Sequence, residues 1–219
     1  TKTSTGKSWT MGNQLTFSGS GELDNGMTVS LSFILDQGDD AAAADTTTLG
    51  GAPFDSHSVT VSSDALGTLK FSGEGGASSA SSIDTSAAGD IWDTFDGTRG
   101  SATAIAVSDS ATGNNSIFYT LPELMDGLSV NASYKPQASS RVSGTGYGVA
   151  YTGIDGLTAK YATSDIVGAT SALSGDQTVW NVSYVYGPVT ATASNSEYDV
   201  ETVASDQDMS SYAISYTVT

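Results

Sequence analysis

The chain has no cysteine and a single histidine, His57. That excludes a disulfide framework, a thiolate nucleophile and a Cys-based zinc site, and one His cannot build a multi-histidine metal centre. Positive charge is scarce too: Lys and Arg number 7 against 24 Asp and Glu, a formal net charge of −17. Nothing here neutralises a run of phosphates, so nucleic acid is excluded as a partner, and docking on an anionic lipid surface is disfavoured. Long apolar runs are missing. No stretch approaches the roughly 18 apolar residues that a membrane helix needs. Even core formers are thin, since Leu, Ile, Val and Phe supply 41 of 219 residues. That share, about 19%, usually accompanies disorder when net charge is high. A chain of this length suits one domain or at most two.

The order of the residues argues against disorder. Odd positions from Trp9 read Met11, Asn13, Leu15, Phe17, with polar or small residues between, the period of a strand with two unlike faces. The pattern resumes at Val29, Leu31, Phe33, Leu35, again at Val59 and Val61, and again at Leu69 and Phe71. Ile117 and Tyr119 follow, then Leu128 to Tyr134, Tyr147 to Tyr151, Leu157 to Tyr161, Trp180 to Tyr186, Val189 to Ala193 and Tyr212 to Val218. These make eleven strands. Tight turns join them at Asn25-Gly26, Leu66-Gly67, Asp126-Gly127, Asp155-Gly156 and Gly187-Pro188, with residues suited to such turns. Longer polar links alternate with the turns: 36–56, 74–114, 135–146, 163–177 and 195–208. Short connections on one side and long ones on the other predict an all-β, antiparallel, up-and-down sheet.

Two architectures share that pattern. A soluble sandwich turns its apolar faces together, whereas a membrane barrel turns them toward lipid and encloses a wet interior. Three features favour the barrel. Apolar strand ends are often aromatic, with Tyr134, Tyr147, Tyr161, Trp180 and Tyr212 at the long-link end and Tyr119, Tyr151 and Tyr186 at the turn end. Such rings favour the headgroup level of a membrane. The alternate face is mostly Ser, Thr, Asn and Gly. A barrel around water also needs only one apolar skin, which accounts for the low Leu, Ile, Val and Phe content. The rival from another class is a soluble acidic surface adhesin or surface-layer β-sandwich. Tandem sandwich repeats or G-G-x-G-x-D repeats would favour it, and neither occurs.

The run Leu66-Gly67-Thr68-Leu69-Lys70-Phe71-Ser72-Gly73-Glu74-Gly75-Gly76-Ala77 resembles the strand that leads into the constriction loop of Gram-negative trimeric porins. Asn114 to Thr120, with Gly127 to Tyr134, resembles the hairpin that follows it. The likeness is to alphaproteobacterial porins and covers the whole of 1–219 in pattern. It implies a transmembrane barrel of roughly sixteen strands, of which the chain supplies about eleven, as an internal fragment incomplete at both ends. An odd count does not close an ordinary bacterial barrel. The resemblance also implies a homotrimer among outer-membrane lipid and lipopolysaccharide, located in the cell outer membrane. It makes 74–114 the constriction loop. The expected function is general diffusion of ions and small hydrophilic solutes, with no enzymatic activity and no required cofactor; a substrate-specific channel would differ only in its loops.

Within that link Ile83, Ala87, Ile91 and Phe95 recur every four residues, a helical stripe able to pin a short helix to the wall. Asp84, Asp90, Asp93 and Asp96 would then face partly into the pore, with Glu74 and Arg99 on the same link. The plain alternative is a solvated external loop. Parity turns Lys70 and Lys160 to the lumen side, opposite Phe71 and Tyr161. The family usually carries a denser arginine cluster, from which this sequence departs. Asp39-Asp40 and Asp90 to Asp96 offer hard oxygen ligands for Ca²⁺, as in some relatives, although no loop follows the D-x-D-x-D-G spacing. His57 has no G-x-S-x-G partner and reads as a rim residue. Gly144-Thr145-Gly146-Tyr147-Gly148 has no helix after it and is not a dinucleotide loop.

Overall fold

The computed structural model describes residues 15–35, 54–83, 114–137, 142–171, 174–202 and 206–217. Within them lie eleven strands: β1 (Leu15–Glu22), β2 (Thr28–Leu35), β3 (Phe54–Ser63), β4 (Gly67–Glu74), β5 (Ser116–Thr120), β6 (Leu128–Lys135), β7 (Ser143–Tyr151), β8 (Leu157–Val167), β9 (Gly175–Tyr186), β10 (Val189–Val200) and β11 (Gln207–Tyr216). They form one sheet in sequence order, every pair antiparallel. Each tight turn falls where the sequence places it, and the turn glycines take left-handed dihedrals, among them Gly127 at φ 74° and Gly156 at φ 75°. No ladder joins β1 to β11 among the described residues. Trp9, Met11 and Asn13, expected at the start of the first strand, lie outside them.

Register fixes the faces. Leu31 stands opposite Val59, and Val59 opposite Phe71. Val130 meets Val149, Val149 meets Tyr161, and Tyr161 meets Trp180. All of these share one face, and that face is open: Leu31, Val149, Val182 and Tyr212 are exposed, and Ile214 is 81% exposed. The other face is mostly small and polar, with Ser72, Ser116, Ser133, Ser164, Ser194 and Ser196 all buried, and its large apolar members Ile166, Val179, Tyr198 and Val200 are buried as well. A soluble protein has the reverse arrangement. Each large apolar side chain is worth about 1.5–3 kcal/mol when removed from water, so a wall of them left outward requires a hydrocarbon solvent. The sheet is the wall of a transmembrane up-and-down barrel.

Aromatic girdles bound the apolar band. On β9 it runs from Trp180 to Tyr186, roughly 20 Å along the strand at about 3.4 Å per residue. At the turn end the Tyr119 hydroxyl donates to the Leu66 carbonyl at 2.6 Å, satisfying its polar tip as an interfacial ring requires.

One sequence expectation needs correction. Apolar alternation predicts links over 163–177 and 195–208, yet β8 runs on to Val167, β9 starts at Gly175, β10 reaches Val200 and β11 starts at Gln207. Likewise β7 begins at Ser143, inside the link expected over 135–146, and β3 begins at Phe54 rather than after Ser56. In β8 to β11 the hydrogen-bonded ladder outlasts the apolar band. Above Tyr161 and Trp180 the outward residues are polar apart from the exposed Val167 that ends β8, and include Thr163, Asp165, Asp176, Thr178, Asn195, Glu197, Asp199 and Asp208. Backbone pairing does not depend on those side chains being apolar, so the strands continue into water with a mostly polar outer face.

Candidate functional site

A channel has its functional surface on the inner face. On β4 to β9 that face carries Lys70, Phe118, Ser133, Asn131, Gly146, Gly148, Ala162, Lys160, Ser164, Val179 and Asn181, placed by register. Lys70 lies between Thr60 and Phe118, and Lys160 between Ala150 and Asn181. Parity thus turns both cations inward, and no carboxylate faces either directly across a ladder.

The chain after β4 does not run outward. From Gly75, at φ 68°, residues 76–83 lie against the inner face. Ser78 to Ile83 make one tight turn, in which the Ser82 amide donates to the Ser78 carbonyl at 3.1 Å and the Ile83 amide to the Ala80 carbonyl at 3.0 Å. Side chains brace it: the Ser78 amide donates to Ser81 Oγ at 2.8 Å, and the Ser81 amide to Ser78 Oγ at 3.0 Å.

Two sets of contacts hold this turn to the wall. The Ser79 amide donates to Ser133 Oγ on β6 at 2.9 Å, and the two hydroxyls lie 3.2 Å apart. Ala80 and Ile83 pack with Ala162 of β8 and Val179 of β9 in a buried apolar cluster. Beside Ile83 a cleft of about 160 Å³ is lined by Ser82, Asn131, Gly148, Ala150 and Lys160. The inward turn and the Lys160 wall position are thereby neighbours.

Of the site residues expected from sequence, Glu74 ends β4 and Lys70 and Lys160 stand on the inner face. Asp84, Asp90, Asp93, Asp96 and Arg99 lie outside the described residues, as do Ala87, Ile91 and Phe95 of the helical stripe and both candidate Ca²⁺ loops. Ile83, the first residue of the stripe, is buried on the wall. Among the described residues no cluster of His, Asp and Glu could hold a metal ion. His57 belongs to the outer face, where its ring covers Gly73 on the neighbouring strand.

Sequence reasoning missed the contact surface itself. In the sequence, Gly144, Gly146 and Gly148 look like no more than a nucleotide loop without its helix. They are alternate residues of β7, all inward and all buried, and so form a shallow trough. The signal was their parity, opposite to the outward Tyr147 and Val149.

A family model described as Gram-negative porin matches residues 1–219. Among solved structures, a mutant of Rhodopseudomonas blastica porin is similar at 19% identity and TM-score 0.46, covering 94% of this chain and 80% of that one. The KdgM porin is similar at 12% identity and TM-score 0.38, covering 95% of this chain and 94% of that one. No curated protein sequence matches.

Proposed function

The chain belongs to the Gram-negative porin family, and from that premise we propose that its inner face is a general-diffusion pathway narrowed by the link between β4 and β5. The protein is an outer-membrane porin, in a family of non-enzymatic channels. The finer reading is ours. Residues 74–114 act as the constriction loop, with Glu74, Asp84, Asp90, Asp93, Asp96 and Arg99 on one side of the narrow section and Lys70 and Lys160 on the wall. The solutes are ions and small hydrophilic molecules, and the mechanism is width plus field, without bond making. No cofactor takes part in such diffusion. The working unit is a homotrimer set among outer-membrane lipid and lipopolysaccharide.

One observation supports this most: the link leaves β4 toward the inner face and is hydrogen-bonded there, Ser79 to Ser133, over the first stretch of its length. A solvated external loop would have no reason to bury Ala80 and Ile83 against β8 and β9. The test is single-channel recording in a planar bilayer. Discrete, ohmic conductance steps with weak ion preference support general diffusion. Absence of steps, or saturable block by one solute class, overturns it.

A further inference from the structure

We propose that the glycine stripe of β7 is a seat for the Ser78–Ala80 turn, and that Gly146 is the positioning residue that sets the free width of the channel. This rests on reading the inner face as a conducting lumen. A Cβ built on Gly146 would lie 2.6 Å from Ser133 Oγ, 2.6 Å from Ser164 Oγ and 3.3 Å from Ser79 Cβ. Three side chains from three different elements thus converge on the one place where β7 has no side chain. Ser79 comes from the link, Ser133 from β6 and Ser164 from β8. The hydroxyl of Ser133, which holds the Ser79 amide, is one of the two that a Cβ would meet first.

Gly148 extends the stripe, since a Cβ there would lie 2.7 Å from Asn131 Oδ1. The Asn131 amide thus lies across Gly148, lining the cleft that Ser82 and Lys160 share. A larger residue at 146 turns the Ser164 and Ser133 hydroxyls aside, and turning Ser133 takes away the acceptor of the Ser79 amide. With that bond lost and Ser79 Cβ only 3.3 Å from the new Cβ, the turn moves inward and away from the wall. The apolar contacts of Ala80 and Ile83 with Ala162 and Val179 lie on the same turn and part with it. Ser79 sits at the bottom of this arrangement with no exposed surface, which a surface loop resting by chance does not achieve.

Engineered cysteines give a clean test, because the chain has none of its own. Ser79→Cys with Ser133→Cys, in the full chain folded into bilayers, should form a disulfide readily, since the two Oγ atoms lie 3.2 Å apart and the geometry of a disulfide is specific. Adding Gly146→Val should suppress that disulfide. On its own, Gly146→Val should displace the turn inward and lower single-channel conductance by on the order of 1.5-fold, because conductance follows the open cross-section of a wet constriction. Gly146→Ala gives the same sign at smaller size and serves if the valine variant fails to insert. Where the wild type conducts, no disulfide in the Ser79→Cys, Ser133→Cys variant, or conductance not lowered by either substitution at 146, overturns the seat. A wild type that never conducts overturns the channel reading and the width-setting role together, while the disulfide still reports whether the turn is docked.

Discussion

The outward face of β9 is two surfaces joined end to end. From Trp180 to Tyr186 it shows Trp, Val and Tyr to the outside; from Asp176 to Thr178 it shows polar groups, although pairing with β10 runs unbroken through both and pairing with β8 runs from Gly175 to Tyr184. The lower half is solvated by hydrocarbon, the upper half by water. Across the ladder the upper half even sets like charges side by side, Asp165 opposite Asp176 and Asp176 opposite Asp199, with Glu197 opposite Asp208. Like-charge pairs repel and need a high dielectric. Asn195 Nδ2 donates to Asp208 Oδ1 at 2.7 Å and Ser210 Oγ at 3.0 Å, a polar surface ladder no lipid-facing strand would carry. The lesson is that strand pattern marks a face, while depth decides its solvent.

The strongest way to break this comparison is to put one charge at each height of the same strand. Val182→Arg, near the middle of the apolar band, should destabilise the folded protein by about 2–4 kcal/mol. Urea unfolding from lipid vesicles, followed by Trp fluorescence, measures it. A loss below about 1 kcal/mol would place Val182 at an interface and undo the division of β9 drawn above.

The turn rim tests the opposite property, a structure fixed by backbone rather than solvent. Gly156 has φ 75°, and a Cβ there would collide with the Val185 carbonyl. Gly156→Ala should therefore cost about 1–2 kcal/mol, from left-handed strain plus displacement of the β8–β9 turn. The same vesicle unfolding assay reads it. An unchanged midpoint would mean the turn has an alternative conformation of equal energy.

How much of this was legible in the sequence follows from the same contrast. Eleven strands, their sides and all five tight turns were readable, because Leu31, Val149 and Tyr161 alternate with small polar residues and each turn carries its glycine. The tops of β8 to β11 were not. There Asp165, Asp176 and Glu197 face water on both architectures, so the apolar alternation ends before the hydrogen bonds do. The seat on β7 was hidden for a different reason. Gly146 matters only in relation to Ser79, 67 positions earlier and on another element, and no local pattern encodes that proximity. Lys70 and Lys160 were placed on the right face by parity alone, since their neighbours at one residue's distance are Phe71 and Tyr161.

At the top of β9, Asp176→Lys should change stability by no more than about 0.5 kcal/mol, and toward greater stability, since it turns a like-charge row into an attractive one. Set beside Val182→Arg, only six residues away on the same face, it makes the sharpest single contrast in the molecule. A penalty comparable to that at Val182 would mean the upper half also sits in hydrocarbon.

The smallest expected effect tests the proposed constriction, in which an acidic link faces a cationic wall. The described inner face of β4 to β9 carries Lys70 and Lys160, whereas the link holds Glu74, Asp84, Asp90, Asp93, Asp96 and Asp109 against Arg99 alone. A narrow water-filled section between low-dielectric walls focuses such a field, concentrating cations and excluding anions. Screening works against it, because the Debye length is about 8 Å at physiological salt, on the scale of a porin's opening. The link outnumbers the wall, so the channel should prefer cations, modestly, and less as salt rises. Converting Asp90, Asp93 and Asp96 together to Asn should lower the cation-to-anion permeability ratio by a factor of about two, equivalent to about 0.4 kcal/mol. The reversal potential under a KCl gradient gives the ratio directly. Lys160→Gln should move it the other way by a smaller step, since it removes one charge from the wall beside Ser82 and Ile83. If the triple substitution leaves the reversal potential where it was while conductance persists, those three carboxylates stand outside the ion path and the link narrows the pore by its bulk alone.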